Sequence, residues 1–300
     1  MGSRNRNVWI IVAIVLVALC LCTMVVAVAA AGWFTLRSAD WGEVSGSESA
    51  RIERTFEVGD ASSLEIDNFA GAVTVRAVEG DAIEVVATKR VRRRSDLDRI
   101  EVNMTERSGG LVVETERPFG MSNVSVQLEI TAPVGTRLDL HTGSGSVTVR
   151  GLSGTVKVDT GSGSVTVADV TGDVDAHSGS GSVEISDVNG AIDARSGSGS
   201  LEVHGATGPV RLNTGSGSIE YQGMPTGDCH FRTGSGRIVL TLPADLNMEV
   251  DLHTGSGDID VDFDVDGRVS KGDVKGVIGS GKEGKIYAHT GSGSIDLIGR

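Results

Sequence analysis

One tripeptide governs this chain. Gly-Ser-Gly begins at Gly143, Gly161, Gly179, Gly197 and Gly215, each 18 residues after the last, and recurs at Gly234, Gly255 and Gly291. A fixed period of this length marks a repeat architecture, in which each unit buries its apolar face only against its neighbours. Each period contains two short alternations of apolar and polar residues, such as Val147-Thr148-Val149 and Val156-Lys157-Val158. Period-2 patterning with β-branched residues on one face predicts half-buried strands.

Stacked in sequence order, the periods line up two inward columns in one half-coil. The first runs Val147, Val165, Val183, Leu201, Ile219, Ile238, Ile259, Ile295, and the second runs from Val149 to Leu297. The other half-coil supplies Val156, Val174, Ile192, Val210 and Cys229, then Val158, Ala176, Ala194, Leu212 and Phe231. A second glycine column (Gly154, Gly172, Gly190, Gly208, Gly227) marks the opposite corner, where φ > 0 would be available. The expected fold is all-β: a β-solenoid of 18-residue two-strand coils, preceded by one N-terminal transmembrane helix. Strand-like but less regular segments at 51–140, among them Ala72-Val73-Thr74-Val75 and Val124 to Ile130, read as wider opening coils that cap the stack.

The transmembrane expectation rests on Val8 to Phe34, which holds no charged residue, and on Val8 to Val28, which is almost wholly apolar and long enough to span a bilayer. Arg4 and Arg6 precede it without an acidic partner, placing the N-terminus in the cytoplasm and the rest outside, in the periplasm or at the cell surface. The chain then divides into a cytoplasmic tail (1–7), an anchor in the cytoplasmic membrane (8–31), a linker (32–50), opening β-coils (51–140) and the regular solenoid (141–300), with an excursion at 264–283. The competing reading is a cleaved signal peptide ending near Ala29 or Ala31, whose apolar core is normally shorter than this run.

The formal net charge of −13 falls entirely on residues 51–300, which disfavours nucleic acid as a partner. Lys89-Arg90-Val91-Arg92-Arg93-Arg94 departs from that balance; beside Asp96 and Asp98 it reads as a solvated turn, with anionic lipid or cell-wall polymer as the alternative contact. Cys20 and Cys22 lie in the apolar segment, leaving Cys229 alone on an inward column as a core residue without an intrachain disulfide partner.

Several sites nearly form. Asp262, Asp264 and Asp266 with Gly267, Val269 and Asp273 match the spacing of an EF-hand loop, making the four aspartates a calcium candidate. Against it, the last ligand is Asp rather than Glu, Phe263 and Val265 are apolar, and the flanks read as strand and loop instead of helix. An acidic strand face explains the same alternation. Gly276 to Lys282 resembles a phosphate-binding loop, but Glu283 replaces the Ser/Thr and a strand follows where a helix is needed. His141, His177, His253 and His289 share an outward column interrupted by Asp159, Arg195, Asn213 and Arg232; at a coil spacing of about 4.8 Å the nearest two would sit about 10 Å apart. No histidine and acid recur beside any one serine, so a hydrolase triad has no support.

The Thr-Gly-Ser-Gly turns, the segment Leu128 to Pro133 leading into Leu138-Asp139-Leu140, and the closing Thr290 to Ile295 resemble the bacterial putative-adhesin family. These are β-strand-repeat domains of unknown function in membrane-anchored envelope proteins, and the resemblance spans roughly residues 52–300. It implies a strand-repeat fold and brings no catalytic residues; members carry the Gly267-Arg268-Val269-Ser270 excursion without the aspartate ladder. The expected function is therefore non-enzymatic: a membrane-anchored envelope protein displaying an acidic β-solenoid to an unidentified envelope or surface partner, for binding, adhesion or scaffolding, with no cofactor. The alternatives are a polysaccharide-active β-helix enzyme, a calcium module using 262–273, and ice or mineral binding by the ladder Thr142, Thr160, Ser178, Ser196, Thr214, Thr233.

Overall fold

Alternating Val/Ile/Leu and polar residues build the molecule as strands in two sheets whose apolar faces meet. The computed structural model describes residues 48–59 and 62–300, so the segments expected as cytoplasmic tail (1–7) and membrane anchor (8–31), with most of the expected linker, lie outside the described residues. Among those described, no helix is long and apolar enough to cross a membrane.

The opening region holds β1 (Glu48–Glu57), β2 (Ser63–Asn68), β3 (Val73–Val78), β4 (Ala82–Val91), β5 (Glu101–Arg107), β6 (Gly110–Glu116) and β7 (Ser125–Pro133). A 3-10 turn, Arg94–Arg99, separates β4 from β5. β1 starts three residues inside the segment expected as linker.

The regular coils follow as strand pairs. They are β8 (Arg137–Ser144) with β9 (Val147–Arg150), β10 (Val156–Ser162) with β11 (Val165–Thr171), β12 (Val174–Ser178) with β13 (Val183–Asn189), β14 (Ile192–Ser196) with β15 (Leu201–Gly208), β16 (Val210–Ser216) with β17 (Ile219–Pro225), and β18 (Cys229–Ser235) with β19 (Ile238–Leu242). Even-numbered strands here join one 13-stranded sheet and odd-numbered strands a 12-stranded sheet. Adjacent coils pair in parallel at the 18-residue offset, as in Val156↔Val174 and Val165↔Val183.

The segment from Glu249 onward departs from sequence order. It contains β20 (Glu249–Thr254), β21 (Ile259–Val261), β22 (Asp266–Ser270), β23 (Asp273–Val277), β24 (Lys285–Ser292) and β25 (Ile295–Gly299). β24 lies between β18 and β20, and β25 lies between β19 and β21. The expected column therefore runs Ile238–Ile295–Ile259, with the final coil inserted beneath its predecessor. The reason is the connection: two residues, Gly172 and Asp173, join β11 to β12, whereas six, Pro243 to Met248, join β19 to β20. The longer link leaves one strand position open, and the chain returns to fill it. The antiparallel hairpin β22–β23 then closes the edge of β20.

The opening end uses the same device. The first coil, β2–β3, sits against β8 and β9, while β6 and β7 pack outside it. Antiparallel β5 covers β6, and β4 with β1 covers β7. An uncovered parallel edge would template pairing with other chains, and these additions blunt both ends.

The inward columns are buried except at the edge strand β21, where Ile259 and Val261 are partly buried, and Tyr221 and Phe231 are in tilted contact at 5.2 Å. Cys229 is buried and free, and burial pushes its thiol up to about 11. The Ser/Thr ladder also lies inside the corner, at 1–6% exposure from Thr142 to Thr233, so it offers no surface to ice or mineral. From Ser178 onward its hydroxyls donate across coils, Ser178 to the Gly163 carbonyl at 2.9 Å and Thr214 to the Gly199 carbonyl at 2.8 Å, whereas those of Thr142 and Thr160 have no partner.

Candidate binding face on the second sheet

On the 13-stranded sheet, the residues between inward positions face solvent, and parallel register stacks them into two columns. One reads Asp139, Lys157, Asp175, Asp193, Arg211, His230, Tyr287, Asp251 across β8 to β20. The other reads His141, Asp159, His177, Arg195, Asn213, Arg232, His289, His253. Together they form a grid of charged and ring-bearing groups.

The half over β16 to β20 is a shallow groove. His230 and Tyr287 stack in parallel, 4.6 Å apart at 2°, and the Lys285 ammonium lies 4.5 Å from the Tyr287 ring. Those contacts occupy the ring faces and leave their polar edges for a ligand. Arg211, Asn213 and Arg232 line the same groove. Lys275 and Lys285 approach Asp251 at 3.0 and 3.4 Å. Burial alone raises Asp251, but the two ammoniums outweigh it and hold the carboxyl below its usual range. His253 and His289 are direct neighbours, ring centroids 5.1 Å apart, because β24 pairs with β20 while the excursion forms the β22–β23 hairpin on the other edge of β20 instead of a coil between them. The spacing of about 10 Å expected from sequence order is thereby corrected. Burial, then the neighbouring His253 and Arg232, lowers the His289 pKa.

The half over β8 to β14 is a ladder of acids and imidazoles. His141 contacts Asp139 at 3.0 Å and Asp159 at 3.4 Å; His177 contacts Asp159 at 3.2 Å and Asp175 at 3.0 Å. Among the described residues, Asp175, His177 and Asp193 form a group whose ligand atoms all lie within 4.8 Å of one another. Sequence reasoning weighed histidines only against each other and passed over this group. Its signal is Asp-x-His, which within a strand puts both side chains on one face; it occurs inside strands at Asp139/His141, Asp175/His177 and Asp251/His253, and once more at Asp228/His230, where the aspartate precedes β18.

The four aspartates expected as a calcium loop are placed differently. Asp262 follows β21 and its amide donates to the Leu297 carbonyl. Asp266 and Asp273 stand at opposite ends of the β22–β23 hairpin, facing Val277 and Ser270, and Asp273 pairs with Arg268 at 2.8 Å. Four ladder steps, about 13 Å, separate them. Asp264 lies before the hairpin, exposed. In the basic run, Lys89 donates to the Ile100 carbonyl at 2.6 Å, Val91 is buried, and Arg93 and Arg99 flank Asp96 at 4.0 and 3.4 Å.

Coils of two strands, glycine corners and capped ends define an all-β strand-repeat protein. The chain belongs to the Toastrack DUF4097 family, whose profile matches residues 61–298. It is similar to a crystal structure of a putative adhesin from Bacteroides fragilis NCTC 9343 at 14% identity and TM-score 0.48, covering 83% of this chain and 97% of that one. A putative cell adhesion protein from Clostridium sporogenes ATCC 15579 overlays at 10% identity and TM-score 0.31, covering 84% and 100%. A putative adhesin from Parabacteroides merdae ATCC 43184 overlays at 10% identity and TM-score 0.34, covering 83% and 96%. Overlays this loose say nothing of what the chain binds. No curated protein matches it.

Proposed function

We propose that the chain is a non-enzymatic envelope protein, held in the cytoplasmic membrane by residues 8–31, whose coil stack is displayed outside for adhesion or binding. The observation that carries this reading is the groove over β16 to β20. There the stacked His230 and Tyr287, flanked by Arg211, Asn213 and Arg232, form a fixed row of hydrogen-bonding groups on the outer face of a sheet. Groups repeated at the strand spacing of about 4.8 Å suit an extended polymer better than a compact metabolite. Arginine forks pair with carboxylates, and the amide, imidazole and phenol edges pair with hydroxyls. The ligand chemistry is therefore that of an acid-bearing cell-wall glycan. Local cations favour it although the domain as a whole is acidic.

The test is co-sedimentation of the detergent-solubilised chain with insoluble cell-wall glycan. Tyr287→Ala and Arg232→Ala should each weaken binding about tenfold, about 1.4 kcal/mol, while glycan chain length stays constant. Unchanged binding by both variants would overturn the assignment of the face. Shortened glycan would favour the polysaccharide-active enzyme instead.

A further inference from the structure

Three Asp-x-His pairs face outward on the second sheet, but their cross-strand neighbours differ. Asp139 stands between Glu65 and Lys157, and Asp251 between Tyr287 and Lys275. Asp175 stands between Lys157 and a second carboxylate, Asp193 of β14, and among the described residues it is this pair that joins a third ligand group, all ligand atoms lying within 4.8 Å of one another. Like charges placed directly opposite each other destabilise a sheet, so this juxtaposition requires a compensating positive group.

The cations in register, Lys157 beside Asp175 and Arg211 beside Asp193, do not supply it at the facing oxygens; Lys157 approaches Asp139 instead, at 3.5 Å. Arg195 and Arg211 approach Asp193 through Oδ2, at 2.7 and 3.9 Å. Asp193 Oδ1, Asp175 Oδ1 and His177 Nε2 are covered atoms on side chains that are themselves 28–45% exposed, and each lacks a hydrogen-bond partner. Nε2 and Asp175 Oδ1 are 3.0 Å apart, yet they lie side by side without hydrogen-bond alignment. The other imidazole nitrogen of His177, Nδ1, lies 3.2 Å from Asp159 Oδ1. A carboxylate behind a histidine holds the proton on the far nitrogen and turns the lone pair of the near one toward a metal.

We propose that Asp175, His177 and Asp193 form a binding site for a divalent transition-metal ion of the zinc type, with Asp159 positioning His177. The imidazole nitrogen selects such an ion over calcium, which takes oxygen ligands. Three protein ligands on an open sheet face leave coordination positions for water or for an acidic group of a bound polymer. The site goes beyond the glycan-binding reading and stands without it.

The experiment is a Co²⁺ titration, followed by visible absorption and reversed with Zn²⁺, on the untagged full chain in detergent with Cys20 and Cys22 alkylated. One equivalent should bind. His177→Ala and Asp193→Asn should abolish the signal, Asp159→Asn should weaken it about 10–100-fold, and His141→Ala should leave it intact. Circular dichroism of each variant controls for folding. Wild-type protein that takes up no Co²⁺, or His177→Ala protein that binds as wild type does, would overturn the proposal. Loss in Asp266→Asn with retention in His177→Ala would move the metal to the hairpin and overturn it equally.

Discussion

At the scale of single residues, the corner glycines answer a packing demand more than a conformational one. Gly181 is absent from the positive-φ glycines, yet a Cβ there would lie 1.9 Å from the Gly163 carbonyl oxygen and 2.3 Å from its carbon. The coils approach too closely for any side chain. Gly227, by contrast, has φ +76 and nothing within 4 Å of a Cβ. Gly181→Ala and Gly181→Asn should therefore both cost about 1–3 kcal/mol or more. Gly227→Ala should cost about 1–2 kcal/mol, and Gly227→Asn should recover much of that, because asparagine tolerates the left-handed region. Beside them, Ser178→Ala removes a hydroxyl that bonds both Gly163 and Gly181, at a cost of about 1–3 kcal/mol. Exposed Ser180→Ala should stay within about 0.5 kcal/mol. Chemical denaturation of the series checks all six. Equal losses at positions 178 and 180 would contradict the corner geometry.

His289 gives a second prediction at this scale. Its folded pKa is lowered from 6.5, so the unfolded chain takes up the proton more readily. Its contribution to stability is present above pH about 6.5 and is lost as pH falls through that value toward the folded pKa. NMR titration should place His289 below a free histidine, and His253→Ala should move its midpoint up. A midpoint unmoved by that change would separate the two rings.

Among elements, the terminal coil is the one whose position matters most. Ile295 is fully buried between Ile238 and Ile259, whereas Ile259 on the edge strand β21 is only partly buried. Ile295→Ala should cost about 2–5 kcal/mol, and Ile259→Ala distinctly less. Thermal or urea unfolding would show it. Most of the strands were legible in the sequence because alternation and the 18-residue period specify register together: Val165 can meet Val183 without turning its polar neighbours inward. The insertion of β24–β25 was not legible, because it depends on the reach of Pro243 to Met248 and changes no inward residue. The closeness of His253 and His289 was hidden for a related reason, since the sequence does not show that the excursion leaves no coil between β20 and β24. The Asp175, His177, Asp193 group lay half in view: Asp-x-His is readable along one strand, but its third member comes from the next coil.

For the molecule as a whole, the proposed topology puts the N-terminus inside and the stack outside, retained by residues 8–31. Protease added to intact spheroplasts should remove the stack and leave a small membrane-bound fragment. Protein free in the medium with a new N-terminus near Ala30 or Gly32 would identify a cleaved signal instead.

The central structural claim is that one continuous stack is closed at each end by a coil out of sequence order. Its most direct test is a methyl NOE spectrum of the full chain in detergent with labelled isoleucines. Ile295 should show cross-peaks to both Ile238 and Ile259, and Ile238 should show none to Ile259, since the final coil lies between them. A direct Ile238–Ile259 cross-peak with no Ile238–Ile295 contact would mean that the coils stack in sequence order, and the account of the molecule's end would be wrong.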